Sequence, residues 1–66
     1  MNQVHVSKPS SNAAKTFVMT NANDLGGMVT DCTDKGAVFT FGSAADAAEF
    51  ARRVNKTFAA IKADIL

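Results

Sequence analysis

His5 and Cys32 are the only histidine and the only cysteine in this 66-residue chain. They are the first places to look for proton transfer or nucleophilic attack. A general base needs an orienting partner and a pocket around it. His5 stands between Val4 and Val6 near the N-terminus, with neither in view, and reads as an exposed side chain. Cys32 falls beside Met28 on the inward face of a strand and reads as a small buried hydrophobe. A lone cysteine also excludes an intrachain disulfide and a cysteine-based zinc cluster. No catalytic residue, metal ligand or cofactor site is expected.

Two further patterns invite chemistry and do not sustain it. Asp31-Cys32-Thr33-Asp34-Lys35-Gly36 has the opening of a calcium loop, yet Lys35 takes the fifth position and Gly42 the twelfth, where a bidentate Glu belongs. Gly26-Gly27 precedes a strand, so it cannot supply a phosphate-binding helix start. Arg52, Arg53 and Lys56 make a small basic cluster on one side of a helix, a candidate contact for nucleic acid. The chain as a whole carries seven Lys and Arg against six Asp and Glu, a net charge of +1. That balance gives no long-range attraction for a phosphate backbone.

The elements that would position these residues divide at Gly42. Before it, β-branched and aromatic residues alternate with polar ones; after it, alanine-rich helical spacing takes over. Residues 1–14 read as a flexible lead-in, with Val4 and Val6 able to form a short edge strand. Residues 15–66 read as one α+β domain. Lys15 to Asn21 alternates like a strand, with Phe17 and Met19 on one face and Val18 and Thr20 on the other. Met28 to Thr33 and Ala37 to Phe41 are the second and third strands, joined by Asp34-Lys35-Gly36, with Phe39 and Phe41 facing the core. Ser43 is the N-cap of a helix continuing to Leu66. The expected fold is α+β, a three-stranded antiparallel meander packed against one long C-terminal helix, β-β-β-α, with an optional fourth N-terminal edge strand.

Such a helix would be about 34 Å long at 1.5 Å per residue, longer than strands of this length can cover. Its far end, Phe58, Ala59, Ile61, Ala63, Ile65 and Leu66, is therefore expected to be a homodimer interface. Val18, Val29 and Val38 would form a mildly apolar strip on the outer sheet face. With Arg52, Arg53 and Lys56 they are the expected partner-binding residues.

The run Ala37-Val38-Phe39-Thr40-Phe41-Gly42-Ser43-Ala44-Ala45-Asp46-Ala47-Ala48-Glu49-Phe50-Ala51, a strand ending in Phe followed by a Ser-capped helix, looks like a widespread small-module pattern, and a three-stranded sheet with one helix in this order is similar to the arm-type DNA-binding domains of phage integrases. That resemblance implies nucleic-acid binding. In size and layout the chain also resembles small proteins encoded by phages and mobile elements, many of which bind and inhibit a larger host protein. The leading expectation is a non-enzymatic, homodimeric interaction module that binds a larger macromolecular partner. A nucleic-acid-binding module is the alternative, and a small-ligand binder at a dimer cleft is the second. The absence of disulfides, of a signal peptide and of a bilayer-spanning stretch points to a cytoplasmic protein without membrane contact.

Overall fold

Ser11 begins the first departure from that expectation. In the computed structural model, which describes residues 2–66, its side chain accepts a hydrogen bond from the Ala14 amide at 3.2 Å and caps a helix. This helix, α1 (Asn12–Asp24), replaces the strand expected at Lys15 to Asn21. Ala14, Val18 and Ala22 recur every fourth residue and are its buried positions. The period-2 alternation of Phe17 to Thr20 is a coincidence of residue type. Propensity is a weak guide over four residues, and the caps at both ends decide. At the C-terminus Leu25 is the cap, and Gly26 has the positive φ of 75° that L side chains rarely adopt. The amides of Gly27 and Gly26 donate to the carbonyls of Ala22 and Asn23 at 2.7 and 3.1 Å, the paired bonds of a Schellman ending.

Around α1 the chain forms β1 (Gln3–Ser7), β2 (Met28–Thr33), β3 (Gly36–Thr40), α2 (Ala44–Thr57) and β4 (Ala63–Ile65). The sheet is antiparallel, in the order β2-β3-β1-β4. This is the β-α-β-β-α-β, ferredoxin-like order. The protein is therefore α+β with an antiparallel sheet, but with four strands and two helices instead of three strands and one. The optional N-terminal strand is present and central: β1 lies between β3 and β4. Val4 and Val6 are buried on its inner side.

The expected long C-terminal helix is also corrected. Ser43 caps α2 as anticipated, accepting from the Asp46 amide at 3.2 Å. The helix stops at Thr57, and Phe58 takes extended geometry. No Gly or Pro breaks it. A side chain offers the chain a better alternative: Asn55 donates to the Ala63 carbonyl at 3.0 Å and accepts from the Ala63 amide at 2.9 Å. Ser7 adds a second tie, its hydroxyl accepting from the Lys62 amide at 2.8 Å. The segment after α2 thereby returns along β1 and buries Ile61 and Ala63. The overhang that called for a second molecule does not exist.

The core lies between the sheet and the helices. Phe50 of α2 is fully buried, with its ring centroid 5.2 Å from that of Phe39 and 5.0 Å from that of Phe41. Phe17 of α1 meets Phe58 edge to face at 5.1 Å. Gly36, at the start of β3, has φ 143°, and a Cβ there would run into the Val6 carbonyl. Close approach of β1 and β3 therefore requires glycine at this position.

Candidate functional site: a groove between α1 and β2

α2 packs on β1 and β4, and α1 packs against α2. The inner side of β2 is left uncovered, and every residue of that strand is exposed. Between α1 and β2 runs an apolar groove of about 360 Å³. Val6, Val18 and Phe39 contribute buried side chains to it, while Met19, Val29 and Cys32 line its more open part. Met19 and Val29 are 45% and 41% exposed. Lys8, Lys15 and Asp34 also line it, and none of the three forms an ion pair among the described residues. A volume of this size is in the range of ordinary ligand clefts.

The residues expected to meet a partner are dispersed. Val18 is on α1, beneath the groove, and Val29 is on its wall. Val38 pairs with His5 across β1 and β3, on the opposite side of the sheet. The strip of three valines is therefore not formed, because one member is helical and a bulge in β2 turns another inward. The register of β2 against β3 shifts between Val29 and Asp31, leaving Thr30 and Asp31 together opposite Val38. Cys32 consequently shares the groove side with Val29. It is exposed there, not buried as expected.

Arg52 and Arg53 are occupied by Glu49. Arg52 donates to it through Nε at 2.9 Å and Nη2 at 2.7 Å, and Arg53 through Nε at 2.9 Å. Arg53 also donates to Asn21 Oδ1 at 3.1 Å and Asp24 Oδ2 at 3.3 Å, tying α2 to α1. Hydrogen bonds from Arg52 and then Arg53 bring the Glu49 carboxyl from 4.5 down to about 2. A depressed carboxyl stabilises the fold above its unfolded value and ceases to do so as pH falls through the folded value. The stability difference between wild type and Glu49→Gln should therefore be full above pH 4.5 and shrink toward pH 2. Urea midpoints at pH 7, 4 and 2 measure it; a difference independent of pH would refute the linkage.

Of the residues expected at a helix-end dimer interface, Ile61 and Ala63 are buried within the chain itself and Phe58 is half-buried. Ala59, Ile65 and Leu66 are exposed, but not on a common helix. Lys56 is exposed in the last turn of α2. His5 sits in β1 between Val38 and Asp64 on its neighbouring strands. No group of three or more potential metal ligands occurs among the described residues. No helix among them is long and apolar enough to cross a membrane.

No protein-family model matches the chain, and neither a curated protein nor a solved structure matches it significantly.

Proposed function

We propose that this chain is a non-enzymatic binding module that occupies a surface on a larger macromolecule through the α1–β2 groove. The observation that carries this reading is the exposed apolar lining, Met19 and Val29 above buried Val18 and Phe39. An open apolar surface next to a strand with one unpaired edge is unfavourable in water and becomes favourable when a partner covers it. Lys8 and Lys15 outnumber Asp34 on its lining, which suits a partner with apolar side chains and a mostly acidic flank. Occupying such a partner's surface is also how a chain this small would inhibit it.

The nucleic-acid alternative draws less support. Arg52 and Arg53 already serve Glu49 and Asp24. The outer face of β1 and β3 carries His5, Val38 and Thr40, and its single ring, His5, falls short of the two or three stacked bases typical of a sheet-type RNA reader.

A pull-down from host lysate with wild type, Met19→Lys and Arg52→Ala tests the assignment. The partner should be captured by wild type and Arg52→Ala and lost with Met19→Lys. Capture that survives Met19→Lys but not Arg52→Ala would sink it. Steeply salt-dependent binding to DNA would instead move the function to nucleic acid.

A further inference from the structure

The outer edge of β2 has a pattern that fits one occupant. Of the two sheet edges, β4 is three residues long, and Asp64 is the middle one. Short strands, charges, prolines and bulges are the usual means of keeping an edge from pairing, and of these β4 has the first two while β2 has one charge and one bulge. β2 is six residues long, Met-Val-Thr-Asp-Cys-Thr, with no proline and a single charge. It pairs only with β3, and Met28 is 71% exposed.

Val29 and Cys32 face the groove side, whereas Met28, Thr30 and Asp31 face the open side; Thr33, opposite Gly36, is on the open side by register and borders the end of the groove at the turn. Thr30 and Asp31 share a side because of the bulge. From Met28 the order is open, groove, open, open, groove, open. It reads the same from either end, centred between Thr30 and Asp31. A regular six-residue strand alternates throughout and lacks this symmetry.

Residues directly opposite in an antiparallel pair project to the same side of the sheet. Two copies of β2 related by a two-fold axis at that centre match sides at every pair. Met28 lies opposite Thr33, Val29 opposite Cys32, and Thr30 opposite Asp31. The two Asp31 carboxylates are offset, each beside a threonine hydroxyl. Sliding by one residue in either direction sets Val29 against Asp31 or Thr33, on the wrong side. One of those slides also sets the two Asp31 residues face to face, a repulsive arrangement.

We propose that β2 pairs with β2 of a second copy of this chain, antiparallel, with Val29 opposite Cys32. The sheet then continues across both copies, and the two grooves open on the same side of it, flanking the shared strands. This goes beyond the groove-binding reading and does not depend on what the groove holds.

Light scattering and sedimentation of the wild type at tens to hundreds of micromolar should give twice the mass of the 6.9 kDa chain. Val29→Asp should return the single-chain mass with an unchanged circular dichroism spectrum. With Cys32 retained, Val29→Cys should form an interchain disulfide on mild oxidation, because directly opposed Cβ atoms lie about 4.5–5.5 Å apart and need only a small approach to the roughly 3.5–4.5 Å that a disulfide spans. Wild type, whose two Cys32 residues are offset, should not cross-link. A wild-type mass of one chain overturns the dimer. So does a double mass that survives Val29→Asp with no cross-link in Val29→Cys. A monomer that still captures its partner, and loses it with Met19→Lys, would overturn the dimer and leave the groove reading standing.

Discussion

Phe50→Ala should abolish cooperative unfolding at room temperature. Phe50 is fully buried and is the one ring that touches both Phe39 and Phe41. Removing a buried phenylalanine costs about 3–5 kcal/mol, from lost transfer energy and the cavity left behind. A core in a domain of this size supplies only about 3–5 kcal/mol in total. The two quantities are equal, so the variant has nothing left to hold it folded. Far-ultraviolet circular dichroism against temperature should show a gradual drift where wild type shows a sigmoid. Leu66→Ala, at a side chain 47% exposed, should keep the sigmoid within a few degrees. A cooperative transition in Phe50→Ala close to that of wild type would show that the three rings are not the centre of the fold.

Asn55→Ala should produce the second large loss, through hydrogen bonding. The Asn55 amide serves both backbone groups of Ala63, and Ala63 is itself buried. Truncation leaves a donor and an acceptor without partners, and each buried orphan costs about 1–3 kcal/mol. Because water reaches part of this corner, about 2 kcal/mol in all is the expected loss. That corresponds to a fall of roughly 8–16 °C in melting temperature for a domain of this length. Asn55→Asp should fall between the two, since it keeps the acceptor and lacks the donor. Hydrogen exchange at the Ala63 and Ile65 amides should accelerate more than exchange within β3. Equal acceleration everywhere, or an unchanged melting temperature, would mean that Asn55 does not hold β4.

The same asparagine explains where sequence reading reached its limit. β2, β3 and the start of α2 were legible because their signals are local: strand residues, a turn at Asp34-Lys35-Gly36, and Ser43 three residues before Asp46. The end of α2 was not. Lys56 to Leu66 contains no breaker, and the interruption comes from contacts with β1 and Ala63 that span the fold. Helical spacing at Ile61 and Ile65 was real as a pattern and irrelevant as a cause. α1 is a different case. Ser11 and Gly26-Gly27 are a helix start and stop written in the sequence. They were outweighed by Phe17, Val18 and Thr20, whose types suit a strand equally well.

The groove was half legible for the same reason. Val18 and Val29 are legible in the sequence as partner-facing apolar residues, but on a shared sheet face that does not form. Met19 gave no signal beyond its hydrophobicity until α1 was known to be a helix. The grouping of Val29 with Cys32 depends on one bulge, which no residue type announces. Arg52 and Arg53 looked available because Asp24, a helix away in sequence, could not be seen beside them.

The central position of β1 has a consequence for the order of assembly. Its two flanking strands come from residues 36–40 and 63–65, so β1 takes both of its neighbours from later in the chain, one of them from the last element in the order. While the intervening chain is being made, Val4 and Val6 have no lateral support, and neither side of that strand can close early. Maturation of the sheet waits on its final three-residue stave.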